Sequence, residues 1–141
     1  MLTEGQRQVR QMVRRFAQDE LAPGAAERDR VPRFPREAFA AMAELGMMGM
    51  VVPEQYGGAG LDYVSYALAV MEIAAADGGI STAFQVHNSL VCLALLNYGT
   101  DAQKERWVDA LAEGRGGFAF GITEPAHGSD ATYMETTATR A

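Results

Sequence analysis

Two segments of the chain, Leu61 to Ala76 and Ile80 to Tyr98, are apolar on most faces, and only Asp77, Gly78 and Gly79 separate them. A helix at the surface keeps a polar face, so helices that are apolar nearly all round belong in the middle of a bundle. Val64, Leu68 and Met71 form a stripe in the first segment; Phe84, Val91 and Leu95 form one in the second. So short a connection allows only a tight reversal, which predicts that the two helices pack as antiparallel neighbours. The rest of the chain must fold around this pair.

The flanks carry local helix signals. Thr3 and Gln6 have the spacing of a capping box, and Val9, Met12, Val13, Phe16, Ala17 and Leu21 follow at three- and four-residue intervals. Pro23 and Gly24 are expected to end that helix, with a loop from Glu27 to Pro32. Pro35 suits the start of a second helix burying Phe39, Met42 and Ala43, and Gly46 suits its end. Gly46 to Gly60 mixes methionine, valine, proline and glycine, as expected of a well-packed irregular connection. Gly99 is a natural helix terminus, Thr100 and Gln103 repeat the capping-box spacing, and Trp107, Val108 and Leu111 mark the buried side of a last helix closed by Gly114. Five helices are thus predicted within residues 2 to 113. Beyond them, Gly116 to Thr123 alternates small with aromatic or branched residues, and Thr136 to Thr139 is β-branched, as strands prefer. The expected fold is mainly α: an antiparallel helical bundle over 1–115, then the first strands of an incomplete β domain over 116–141. Two short strands cannot bury a face alone, so further chain or another molecule is expected to complete the sheet.

Composition narrows the function. With 48% hydrophobic and 21% charged residues in 141, this is the sequence of a folded chain. A net charge of -6 opposes nucleic-acid binding unless a basic patch overrides it. The one candidate, Arg7, Arg10, Arg14 and Arg15, is interrupted by Glu4, Asp19 and Glu20 and reads as a solvated helix face. Those acids also argue against a mitochondrial transit peptide, and no secretory signal is visible. The longest strongly apolar run, Leu90 to Leu96, falls short of the about 20 residues a membrane span needs. The lone Cys92 reads as a small core residue, which suits a reducing cytoplasm. His87 is expected in the core, and two histidines with no nearby cysteine or acidic cluster predict no metal site.

The segment richest in chemistry is Phe118-Ala-Phe-Gly-Ile-Thr-Glu-Pro-Ala-His-Gly-Ser-Asp130. A strand end with a Thr123 hydroxyl, running into a turn built on Gly128 and Ser129, lets successive backbone N–H groups converge on an anion such as a nucleotide phosphate. A strand-turn-strand corner whose Thr, Ser and Asp side chains satisfy only local backbone groups has the same composition.

Thr123-Glu124-Pro125 followed by Gly128-Ser129-Asp130 resembles the flavin-binding signature of acyl-CoA dehydrogenases. Leu2-Thr3-Glu4 with Gln6-Arg7, Phe34-Pro35 leading to Glu44-Leu45-Gly46, and Val52-Pro53-Glu54-Gln55-Tyr56-Gly57-Gly58 are similar to that family's helical N-terminal domain. The resemblance covers essentially the whole chain and the first third of a typical member. It implies an oxidoreductase that desaturates acyl-CoA thioesters, with a base taking the α-proton and FAD accepting the β-hydride. It also implies Phe120, Ile122, Thr123, Gly128 and Ser129 as FAD contacts, Ile122 and Thr123 against the isoalloxazine ring, and Ser129 near the acyl-CoA substrate as well. Main-chain N–H groups there would stabilise the charge that develops on the reduced ring. The implied partners are an electron-transferring flavoprotein and, at full length, three further subunits of a homotetramer. The family's catalytic base comes from a C-terminal helical domain, so no residue here is expected to be catalytic, Glu124 included, and the chain alone is expected to be inactive. His87-Asn88-Ser89-Leu90 with Tyr98-Gly99-Thr100 and Gln103-Lys104 looks most like the short-chain members, although these residues could equally serve only to pack helices. The family usually has small residues where His127 and Tyr133 stand; His127 is expected to be a solvent-exposed loop residue. Acyl-CoA oxidases share the fold, and a non-catalytic helical interaction module or a truncated product is the alternative of another class.

Overall fold

The computed structural model describes residues 1–31, 33–116 and 119–140. Helix α1, Glu4–Phe16, runs on through a π-helical turn, Ala17–Leu21. Its capping box is formed: Gln6 N donates to Thr3 Oγ1 at 3.2 Å and Thr3 N to Gln6 Oε1 at 3.0 Å. Val13, Phe16, Ala17 and Leu21 are buried, whereas Met12, expected among them, is exposed.

Pro23 and Gly24 do not end the helical course. A 3-10 turn, Ala22–Gly24, leads into α2, Ala25–Arg30, across most of the expected loop, whose last residue, Pro32, lies outside the described residues. Proline is tolerated in a first turn because that N–H has no helical partner. Arg28 then anchors the helix, its Nε donating to Asp77 Oδ2 at 2.8 Å and its Nη2 to the Leu21 carbonyl. Helix α3, Arg36–Glu44, buries Met42 and stops at Gly46, whose φ of 70° is the left-handed conformation glycine accepts without strain.

The connection from Gly46 to Gly60 is well packed, as expected. Met47, Met48, Met50 and Val52 are buried, and Ala59 N, Gly60 N and Leu61 N donate to Gly49 O, Val52 O and Met50 O at 2.9, 2.9 and 2.8 Å. A Cβ at Gly58 would lie 2.1 Å from the Val52 carbonyl oxygen, so only glycine fits there.

Helix α4, Tyr63–Ala76, and helix α5, Gly78–Gln85, meet at the single residue Asp77, which caps α5 by accepting from Ile80 N at 2.9 Å. They run antiparallel: Tyr66 OH donates to Gln85 O at 3.2 Å and Ser81 Oγ to Val70 O at 3.3 Å. Helix α5 continues through a π-helical segment, Val86–Cys92, into α6, Leu93–Tyr98. Taken together, Gly78–Tyr98 is a 21-residue helix containing an 18-residue stretch of mean hydropathy 1.3, long and apolar enough to cross a membrane; the run from Leu90 to Leu96 understates it. Its Ser81, His87 and Asn88 nonetheless point inward, bonded to neighbouring backbone.

Three expectations about these helices fail. Val64 and Met71 are exposed, and α4 instead buries Ser65, Tyr66, Leu68, Ala69, Glu72 and Ile73. Where apolar residues surround a helix, hydrophobicity cannot select the inner face; polar anchors do. Second, α1 and α4 run in the same direction, since Gln6 reaches Asp62 (3.1 Å) while Arg10 and Arg14 reach Glu72 (2.6 and 2.8 Å). The long excursion between them returns the chain to its starting end, so the bundle is only partly antiparallel. Third, Arg10 and Arg14 are not merely solvated but bind a carboxylate that is 8% exposed.

Helix α7, Asp101–Ala112, begins at the second capping box, with Thr100 N donating to Gln103 Oε1 at 2.8 Å, and buries Val108, Leu111 and Ala112. At its end Gly114 has φ 69°, and a Cβ there would come within 2.6 Å of Ala43 Cβ. Helices α1, α3, α4 and α5 share one apolar cluster with the Met47–Met50 turn; Val52, Val91, Cys92 and α7 form a second.

Among the described residues neither expected strand forms; Gly117 and Phe118, within the first, lie outside them. Residues 119–123 and 134–140 lack regular structure, and a 3-10 turn, Ala131–Tyr133, lies between these stretches. A strand exists only as a member of a hydrogen-bonded ladder, and no other strand is present among the described residues to supply one.

Candidate functional site

The site must be judged by how residues 119 to 136 are held. From Ala119 to Thr123 the backbone makes no hydrogen bond to another described residue, and Phe120 and Ile122 are 44% and 38% exposed. The chain then closes on itself: Glu124 N donates to His127 O at 3.0 Å and His127 N to Glu124 O at 3.1 Å. The Glu124 carboxylate reaches further, accepting from Glu135 N at 2.7 Å, Thr136 N at 2.9 Å and the Thr136 hydroxyl. The Glu135 amide, followed by the two Thr136 donors, holds this carboxyl below the usual carboxylate range. Asp130 accepts from Thr132 Oγ1 at 2.6 Å.

Two residues that sequence reasoning treated singly meet here. His127 and Tyr133 stack with ring centroids 6.1 Å apart and 22° between planes, and His127 Nε2 lies 3.9 Å from Glu135 Oε1. The histidine side chain is only 23% exposed, so it is not the free loop residue expected. The tertiary turn, which brings positions six apart into contact, is the reason.

The five predicted contact residues do not share one pocket. Phe120 lines an open cavity of about 630 Å³ beside the bundle, together with Phe34, Phe39, Met48 and His87. Ile122, Thr123, Gly128 and Ser129 lie on the exposed ribbon outside it. This ribbon suits one face of a flat, phosphate-bearing cofactor: among the described residues the backbone donors from Ala119 to Thr123 meet no acceptor, two apolar side chains flank them, and a Cβ at Gly121 or Gly128 would meet nothing within 4 Å. It supplies no opposite wall. Among the described residues no three His, Cys, Asp or Glu side chains converge as a metal cluster would.

Within the bundle, His87 and Asn88 act as fasteners. His87 Nε2 lies 3.1 Å from Leu111 O, and since a carbonyl only accepts, this nitrogen carries the proton. Burial pushes the imidazole pKa down, against a smaller opposing pull from the Leu111 and Met48 backbone, so the ring is neutral near pH 7. Asn88, fully buried, accepts from Met50 N at 3.1 Å and donates to Met47 O at 3.1 Å. Their place in a π-helical segment turns both toward the Met47–Met50 turn and α7, a packing role that only a polar pair on an otherwise apolar helix hints at in sequence. Cys92 is fully buried, and burial pushes its thiol up to about 12, which makes it inert.

Comparison with known proteins covers the whole of this arrangement. Residues 3–115 match the family described as acyl-CoA dehydrogenase, N-terminal domain. A probable acyl-CoA dehydrogenase of Bacillus subtilis is 44% identical over 137 residues, 97% of this chain and 36% of that protein. A short-chain specific acyl-CoA dehydrogenase of Clostridium acetobutylicum is 44% identical over 138 residues, again 97% of this chain and 36% of its own length. A crystal structure of glutaryl-CoA dehydrogenase from Mycobacterium smegmatis superposes with a TM-score of 0.93 at 38% identity, over 100% of this chain and 36% of that one. A second structure, of a glutaryl-CoA dehydrogenase from the same organism in complex with FADH2, gives 0.88 at 34% identity over 94% and 34%. The chain therefore spans about a third of the length of the proteins it matches.

Proposed function

This chain belongs to the acyl-CoA dehydrogenase family through its N-terminal domain, and from that premise we propose that it is the N-terminal part of an FAD-dependent desaturase of acyl-CoA thioesters. The observation that carries the proposal is continuity: likeness to these enzymes extends beyond the helical domain through Thr123-Glu124-Pro125 and Gly128-Ser129-Asp130. FAD, when bound, supplies the hydride acceptor. Phe120 and Ile122 offer apolar contact to its ring, Thr123 a hydroxyl, and Gly128 and Ser129 backbone N–H groups for negative charge, with Ser129 also facing the thioester. Glu124 does not remove the α-proton: its oxygens already accept three hydrogen bonds, and a carboxylate held below its ordinary range is a weakened base. The base is supplied from outside these residues. A short acyl group is favoured by the likeness to short-chain specific relatives. Electrons pass on to an electron-transferring flavoprotein, and the whole enzyme is a cytoplasmic homotetramer.

The test is direct. The 141-residue chain, purified alone, is expected to hold FAD weakly and to reduce no dye with butyryl-CoA, because losing a positioned base forfeits a factor of roughly 10² to 10⁴ even in an otherwise intact site. Protein that is yellow at one flavin per chain and turns over butyryl-CoA would overturn the assignment of the base.

A further inference from the structure

The Glu124 carboxylate has a use that base chemistry does not explain. Local Ser, Thr and Asp turns tie a side chain to backbone two to four residues away. Glu124 instead binds backbone eleven and twelve residues onward, at Glu135 and Thr136, while its own N–H and C=O close the Glu124–His127 turn. The exposed Gly128 and Ser129 lie inside the loop so formed, and a Cβ at Gly128 would meet nothing within 4 Å among the described residues. All three groups aimed at the carboxylate are donors. A glutamine would set its own NH₂ against one of them, and an aspartate falls one methylene short of spanning two successive amides.

We propose that Glu124 is the positioning residue of the cofactor-facing turn, its carboxylate pinning the Glu135–Thr136 backbone so that the Gly128 and Ser129 N–H groups hold one direction. The inference rests on the flavin reading above for what those N–H groups serve, but the clamp itself is a property of this chain. It assigns the carboxylate to shaping the turn and removes it from the proton-transfer chemistry. Tyr133 stacks on His127 within the same loop.

The experiment uses amide hydrogen exchange and amide chemical shifts of the 141-residue chain, with and without millimolar FAD. Glu124→Gln is expected to speed exchange at Glu135 and Thr136 by roughly tenfold, to move the amide shifts of Gly128 and Ser129 while leaving α1 to α7 unchanged, and to weaken the FAD-dependent shifts at Gly128 and Ser129 severalfold. Glu124→Asp should do the same. Thr136→Ser, which keeps the hydroxyl, and Glu135→Gln, which keeps the amide, should retain the parent pattern. Unchanged exchange at Glu135 and Thr136 in Glu124→Gln, or unmoved amide shifts at Gly128 and Ser129, would overturn the clamp. If exchange rises as expected while the parent itself shows no FAD-dependent shift near Gly128, the clamp stands and the flavin reading fails.

Discussion

Replacing Asn88 by leucine tests the fold at its most polar interior point. The side chain is fully buried and joins the π-helical segment after α5 to the Met47–Met50 turn, accepting from Met50 N and donating to Met47 O, both at 3.1 Å, with a longer 3.4 Å bond to Phe84 O one turn back in α5. Leucine has a similar shape but leaves the Met50 N–H and the Met47 carbonyl buried without partners. Each orphaned group costs about 1–3 kcal/mol, and the added apolar burial offsets about 1 kcal/mol, so the net loss is about 3 kcal/mol. For a chain of this size that lowers the Tm by about 10 °C. Guanidinium unfolding followed by Trp107 fluorescence and by circular dichroism measures it. Asn88→Asp should be at least as damaging near pH 7, because a second oxygen then faces the Met47 carbonyl and a charge is buried, and it should recover part of the loss on acidification, when the protonated acid can donate. Loss within about 1 kcal/mol of zero for Asn88→Leu, at an unchanged denaturant slope, would refute the fastening role.

Glu72 should make the chain acid-sensitive. The Arg14 side-chain bond, then Arg10 and the charges of both arginines, hold its carboxyl below the ordinary 4.5 despite burial. Its contribution is therefore complete above that value and lost as pH falls through the depressed one, so the parent should lose stability below pH 4.5 more steeply than Glu72→Gln in parallel melts. Cys92, with its thiol near 12 and no exposure, should react with a thiol reagent at pH 8 only as fast as the chain unfolds; faster labelling of the native chain would show that the site opens locally.

What the sequence determined by itself was local. Thr3 with Gln6, Thr100 with Gln103, and the reversal at Asp77 depend on contacts within about four residues, which spacing alone encodes. The packed Gly46–Gly60 connection and the buried Phe84 and Val91 were legible from composition and apolar spacing, though the bonds that close the connection reach eight to eleven residues along the chain. Of the candidate site, the Thr123–Asp130 motif was legible, but the hydrogen-bonded turn falls at Glu124–His127 and not on Gly128 and Ser129 as expected, and neither the clamp from Glu124 to Thr136 nor the contact between His127 and Tyr133 could be read. Tertiary structure decided everything that needed a distant partner. It chose the inner face of α4 through Ser65 and Glu72 where Val64 and Met71 were equally apolar, and set α1 parallel to α4 through Arg10 and Arg14. It kept Ala25–Arg30 helical by tying Arg28 to Asp77, and it left both expected strands unformed. The physical reason is common to all of these: a residue's propensity and spacing specify what it can do within its own turn, whereas a helix face, a helix direction and a β ladder are properties of a pair, fixed only when the second member is in place.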